Sequence, residues 1–209
     1  MKSRIINLIT SELINPMREM TQQYLKILEV KYINQIPKIA GIDVNQVENK
    51  VTAYVEVKNE YFYLQFVFDT TSNIQIYSVS TVPFIGINFT PTSEELTLEH
   101  LLKITSINPT STISKEEFEY NGLVFDSNPE PGQIENKLNL FLNLLESDIE
   151  GIKELSKQTN CKHLFLTIIY HAGTENYSGF YLTTQIINRL SNLGFELTFD
   201  IYASGNKFL

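Results

Sequence analysis

The feature that most constrains the fold is residues 178–202, where a helical pattern of apolar residues changes directly into a strand pattern. Five apolar residues of its first part recur at helical spacing, namely Leu182, Ile186, Ile187, Leu190 and Leu193. Gly194 follows them, where a left-handed helix cap favours a residue without Cβ. Apolar residues then alternate with polar ones, and the predicted buried face is Phe195, Leu197, Phe199 and Ile201. The segment therefore predicts a helix, a cap and a half-buried strand, so the domain must mix helices and sheet.

The first 82 residues predict helices followed by an antiparallel meander. A helical pattern covers residues 5–30, and Pro16 is expected to start a second helix after Asn15. Three strands are then predicted between turn-forming residues, and their sequences are TAYVEV, YFYLQFVFD and NIQIYSVS. Their aromatic side chains are interpreted as core, because no Lys or Arg interleaves residues 60–82 as base-stacking surfaces require.

From residue 83 onward, strands and helices alternate. FIGINF is the first strand, Thr97 is expected to cap a short helix, and the longest helix is predicted over residues 133–158. HLFLTIIY, residues 163–170, is a nearly continuous apolar strand that is typical of a central position. The predicted fold class is α+β, with N-terminal helices and an antiparallel meander (1–82) followed by an α/β sandwich with a mixed sheet (83–209).

The composition limits compartment and partner classes. Cys161 is the only cysteine among 209 residues, so no internal disulfide can form. No apolar run reaches the roughly 20 residues that a membrane span needs. We therefore expect a cytoplasmic protein without a membrane partner.

The charge is unevenly distributed. Residues 1–80 hold 8 basic and 8 acidic side chains, so residues 81–209 carry the whole net charge of −8. Nucleic-acid affinity depends on Lys and Arg displacing counterions, so a nucleic-acid partner is disfavoured. A basic protein would be attracted to the acidic half, although the same charge also serves solubility.

Six acidic residues are the candidate partner-binding patch: Glu116, Glu117, Glu119, Asp126, Glu130 and Glu135. Consecutive glutamates are also common on ordinary solvated surfaces. Cation-binding loops alternate Asp and Asn around a glycine turn, and this pattern is missing, so no metal is predicted here.

Catalytic signatures are absent or weak. The chain has no glycine-rich nucleotide motif, no phosphate-binding loop and no nucleophile elbow. His171 follows the predicted central strand, where α/β sheets often place sites, and Glu175 or Asp200 could assist it as a general base. Cys161 and His163 are too few for a zinc site. No catalytic residue, metal or cofactor is predicted.

From about residue 84 to 202, the chain resembles the bacterial family known as DUF4279. The resemblance is carried by Phe89, by LTLEHLLKITSINPT, by IKEL and LFLTIIY, and by GFYLTTQIINRLSNLGFELTFDIY. Where the family usually has a tryptophan, this chain has Leu123, Val124 and Phe125 and contains no Trp. The resemblance implies a small bacterial cytoplasmic protein and offers no catalytic residues.

Three functional hypotheses follow. The leading one is a non-catalytic immunity protein that neutralises a basic, nuclease-type toxin through its acidic half, by analogy with accessory proteins of such families. The second is a small-molecule-binding or regulatory module. The third is a hydrolase-like enzyme centred on His171. Pairing of edge strands into a homodimer stays open.

Overall fold

The structure, a computed structural model, describes residues 1–173 and 180–208 and has two compact units. The first comprises Met1–Phe84 and the described parts of Ile168–Ser178 and Ile201–Leu209. The second comprises Ile85–Thr167 and the described part of Gly179–Asp200. Within the described residues, no helix is long and apolar enough to cross a membrane.

The first unit starts with two helices and a meander. The helices are α1 (Lys2–Ile14) and α2 (Glu19–Ile27). A short hairpin, β1 (Tyr32–Ile33) with β2 (Ile36–Pro37), precedes the four-stranded sheet. The sheet strands pair antiparallel in chain order: β3 (Ile39–Asn45), β4 (Lys50–Glu56), β5 (Tyr63–Asp69) and β6 (Gln75–Val82). The predicted meander is therefore confirmed.

Two details of this unit differ from prediction. The second helix begins at Glu19 instead of Pro16, because Arg18 takes extended backbone and its N–H donates to the Glu12 carboxylate at 3.0 Å. Strand β3 was not predicted, since as an edge strand it buries no residue and shows no alternation. The predicted aromatic core is confirmed at Phe62, Phe66 and Phe68, whereas Tyr61 and Tyr77 are exposed.

The second unit contains most of a second sheet and four helices of the described chain. The strands of this sheet are β7 (Phe84–Phe89), β8 (Thr92–Ser93), β9 (Ser111–Ile113), β10 (Asn121–Asp126), β11 (His163–His171) and β12 (Glu196–Ser204). Its helices are α3 (Leu98–Ile104), α4 (Ile134–Glu146), α5 (Ile149–Thr159) and α6 (Thr184–Leu193). The strand order is β12-β11-β7-β10-β8, with β9 beside β10. The predicted α+β class with a mixed sheet is confirmed, and β11 lies between two neighbours as expected.

The predicted long helix over residues 133–158 is wrong as one element, because it breaks between α4 and α5. Asp148 lies at the break and caps α5 by accepting from the Gly151 N–H at 3.1 Å. The other carboxylate oxygen accepts from Thr105 and Ser106 in a distant loop. The sequence pattern could not reveal this tertiary hydrogen bonding.

The predicted last helix, its glycine cap and the following strand are confirmed, but the predicted buried face of the strand is not. Thr183 caps α6, and Gly194 ends it with a φ of 75°. Of the predicted buried face, Phe195 is buried, whereas the prediction is wrong at Phe199 and Ile201, which are 39% and 56% exposed. The reason is that β12 is the first strand in the sheet order and has a sheet neighbour on one side only.

Candidate functional site

The acidic loop, which we define as residues 114–120, connects β9 with β10 and has a well-ordered base. The Ser114 carbonyl accepts from the N–H groups of Glu117 and Phe118, both at 3.0 Å. The Asn121 side chain accepts from the Lys115 N–H at 2.9 Å and donates to the Leu96 carbonyl at 2.9 Å. These hydrogen bonds connect the loop to the β9–β10 hairpin and to the chain before α3, and they fix the conformation of its two ends.

The glutamate side chains of the acidic loop are exposed to solvent. Glu116, Glu117 and Glu119 are exposed, and none of them forms a salt bridge within the residues that the structure describes. Phe118 lies between them, is 52% exposed and stacks on Tyr120 with ring centroids 6.0 Å apart. The loop therefore presents three unpaired carboxylates around one accessible aromatic ring.

The other three predicted patch residues lie elsewhere. The acidic loop precedes β10, whereas Asp126 ends this strand, about 17 Å further along at strand spacing. Glu130 follows in the chain before α4, and Glu135 is in the first turn of α4. Partial burial raises the pKa of Asp126. The structure thus brings Glu116, Glu117 and Glu119 together and places Asp126, Glu130 and Glu135 toward the other end of β10.

A buried charged side chain, Lys137, lies next to this second group of residues, and sequence reasoning missed it. Lys137 on α4 is 4% exposed, and its Nζ donates to the carbonyls of Asn128 and Glu130 at 2.6 and 2.7 Å and contacts the Asn128 side-chain oxygen at 3.3 Å. Burial lowers the pKa of Lys137 to about 8, and the Glu130 carboxylate opposes this shift. The ammonium holds the chain before α4 against that helix, so its role is structural.

His171 lies in an aromatic cage of the first unit. It is 1% exposed, and its ring centroid is 4.9 Å from Phe62, 5.7 Å from Phe208 and 5.9 Å from Tyr24. Its Nε2 is 2.8 Å from the Asn206 carbonyl, which can only accept, so Nε2 carries the hydrogen. Nδ1 is buried and has no hydrogen-bond partner among the described residues. This environment suits packing and orientation and gives a substrate no access to the ring.

The suggested assistants of His171 add no support for catalysis. Glu175 lies outside the described residues, and Asp200 belongs to the second unit. The Cys161 thiol contacts the Thr90 carbonyl at 3.6 Å, and burial raises its pKa, which disfavours the nucleophilic thiolate. Across residues 1–173 and 180–208, no group of three or more His, Cys, Asp or Glu side chains is arranged to hold a metal.

The net charge is confined to the second unit. This unit holds 15 acidic and 7 basic side chains, a net charge of −8, whereas the first unit holds 9 of each. Within the part of this unit that the structure describes, the acidic loop places three unpaired carboxylates beside an exposed aromatic ring. It is the strongest candidate surface for a macromolecular partner.

Comparison with known proteins agrees with the resemblance described above. A family model described as Domain of unknown function (DUF4279) matches residues 84–204, which is more than half of the chain. No curated protein and no solved structure gives a match to the chain.

Proposed function

We propose that this chain, which belongs to the DUF4279 family through residues 84–204, is a non-catalytic binding protein that holds a basic protein partner on its acidic loop. The observation that carries the proposal is the exposed group of Glu116, Glu117 and Glu119 around Phe118. The form of partner that we infer is a nuclease-type toxin, which the chain would neutralise as an immunity protein.

Charge supports the basic partner. A net charge of −8 concentrated in one unit steers a basic protein toward it and raises the rate of association. Nucleases are basic on the surface that contacts the phosphate backbone. A protein that covers such a surface with carboxylates would block nucleic acid from it, which is the action that neutralisation requires.

The exposed ring supports affinity. Interfaces take most of their binding energy from a few buried anchors, among which aromatic residues are enriched, while a surrounding rim of nearly neutral contacts excludes water. Phe118 fits the anchor, and the three glutamates fit the charged rim. Because the base of the acidic loop is held by Ser114 and Asn121, the anchor is presented with little loss of conformational entropy on binding.

The partner can be identified by affinity purification of the tagged chain from its own host, washed at low and then at high salt and followed by mass spectrometry. We expect a stoichiometric basic protein that is retained at low salt. A chain that is recovered alone at both salt concentrations would argue against the proposal.

Charge reversal of the acidic loop tests its role. The triple variant Glu116→Lys, Glu117→Lys, Glu119→Lys is expected to lower the association rate constant of the purified partner by about 10- to 100-fold at low salt. Phe118→Ala should instead raise mainly the dissociation rate constant, because it removes the anchor. Both constants are measured by surface plasmon resonance over a series of salt concentrations.

A matched control carries the same change of net charge elsewhere in the second unit. The triple variant Glu99→Lys, Glu150→Lys, Glu196→Lys changes three exposed glutamates outside the acidic loop. We expect its association rate to fall much less than that of the loop variant. Equal rates for the two triple variants would mean that only total charge matters and that the acidic loop is not the interface.

A further inference from the structure

The first unit has a polar pocket of 310 Å³ that the proposed function does not use. One wall is the end of α2 from Lys26 to Glu29, another is the turn from Val57 to Glu60, and the third is Asn206. The volume lies at the lower end of the range for small-molecule sites, so it suits a ligand of few atoms. Its walls consist mainly of charged and amide side chains.

The charges of the pocket are only partly paired. Lys58 Nζ binds both carboxylate oxygens of Glu29, at 2.9 and 3.1 Å, and this pair neutralises itself. Lys26 forms no salt bridge within the described part of the chain, and Glu60 is hydrogen-bonded by the Ser204 hydroxyl through one carboxylate oxygen. The Lys26 ammonium and the second carboxylate oxygen of Glu60 thus remain for a ligand that carries the opposite charges.

Asn206 is held rigidly in the pocket wall. Its side-chain Nδ2 donates to the Ile27 carbonyl at 2.9 Å, and its own carbonyl accepts from His171 Nε2 at 2.8 Å. The preceding Gly205 has a φ of 83°, and a Cβ there would lie 2.9 Å from the Phe62 ring. The buried His171 therefore binds the C-terminal segment at the residue that forms this wall of the pocket.

We propose that this pocket binds a small zwitterion of the free amino acid class, whose carboxylate pairs with Lys26 and whose ammonium pairs with Glu60, and that His171 is a positioning residue for its Asn206 wall. Opposite charges on one small molecule match the two charged groups of the pocket lining that form no salt bridge among the described residues, the Lys26 ammonium and the Glu60 carboxylate. A ligand of a single charge would leave one of the two side chains desolvated without a partner. The site is independent of the acidic loop.

The test uses the full chain and each proteinogenic L-amino acid in turn, with binding observed by saturation-transfer NMR. The best ligand is then titrated by calorimetry, beside its N-acetyl and carboxamide derivatives, which lack the ammonium or the carboxylate. We expect Lys26→Gln and Glu60→Gln each to weaken binding about tenfold, because each removes one charge-assisted hydrogen bond. Lys50→Gln and Glu48→Gln, which change an exposed ion pair of the same unit, should leave the affinity unchanged.

The role of His171 has its own pair of variants. His171→Gln keeps an N–H donor near the Nε2 position and should retain binding, whereas His171→Phe keeps the ring packing, loses the donor and should weaken binding several-fold. Circular dichroism confirms that each variant is folded. Absence of saturation transfer from every amino acid would overturn the proposal. Binding that is unchanged by Lys26→Gln, by Glu60→Gln or by blocking the ligand's ammonium or carboxylate would overturn it equally.

Discussion

Replacement of Asp148 by alanine is expected to lower the free energy of unfolding of the second unit by about 3 kcal/mol. Its Oδ2 accepts from the Thr105 hydroxyl at 2.9 Å and from the Ser106 N–H and hydroxyl, and its Oδ1 caps α5 through the Gly151 N–H. Alanine removes the cap and leaves the buried Thr105 hydroxyl without this acceptor. Urea denaturation followed by circular dichroism measures the loss.

The same carboxylate makes stability depend on acidity. The Ser106 N–H and the Thr105 hydroxyl hold the pKa of Asp148 below its ordinary value of 3.8. A carboxyl with a lowered pKa in the folded state contributes its full stabilisation above the ordinary pKa and loses it as pH falls through the folded pKa. We therefore expect the stability difference between the parent and Asp148→Asn to shrink below about pH 4. A difference that is constant with pH would contradict this.

Gly151 gives a second, independent check on Asp148. A Cβ at Gly151 would lie 2.4 Å from Asp148 Oδ2, and the four hydrogen bonds leave this carboxylate no room to move. Gly151→Ala should therefore destabilise the parent, although alanine normally stabilises a helix by up to about 1 kcal/mol over glycine. In the Asp148→Ala background, Gly151→Ala should stabilise. An effect of the same sign in both backgrounds would show that the two residues are not coupled.

Stability should also rise with pH above pH 8 because of Lys137. The side chain is 4% exposed, and burial lowers its pKa to about 8, whereas an unfolded lysine keeps a pKa near 10.4. Between these values the unfolded state binds more protons than the folded state, so the free energy of unfolding rises with pH. From pH 8 to pH 10, this site is expected to contribute an increase of about 2 kcal/mol.

Lys137→Met removes the titrating group and should abolish that increase. The control is Lys153→Met, which removes an exposed lysine of α5 and should leave the pH dependence of the parent unchanged. Urea denaturation of the three proteins at several pH values between 7 and 10 gives the comparison. If the parent and Lys137→Met show parallel curves, the ammonium is equally stable in the folded and unfolded chains, and the burial argument fails.

The sequence by itself determined the elements whose signals lie within a few residues of each other. The caps at Thr97 and Gly194 were predicted correctly because capping joins a side chain or backbone group to the adjacent helical turn. The meander strands and β11 were predicted because alternation and continuous apolar runs reflect burial directly. The family resemblance rested on the same contiguous segments.

Only the tertiary structure decided the features that depend on distant partners. Thr105 and Ser106 lie more than 40 residues before Asp148. No local sequence pattern predicts that they donate hydrogen bonds to Asp148 at the break between α4 and α5. The edge position of β12 exposes Phe199 and Ile201 although their alternation is that of a buried strand.

The candidate sites also depend on which distant residues folding brings together. Three glutamates of the predicted patch share a loop because they are neighbours in sequence, whereas the other three are separated from them by the length of β10. The cage around His171 and the neighbouring pocket are formed by Tyr24, Phe62, Asn206 and Phe208, which are distant in sequence. Only folding brings them together, because the hydrophobic effect depends on the apolar surface that is buried and not on the order of residues along the chain.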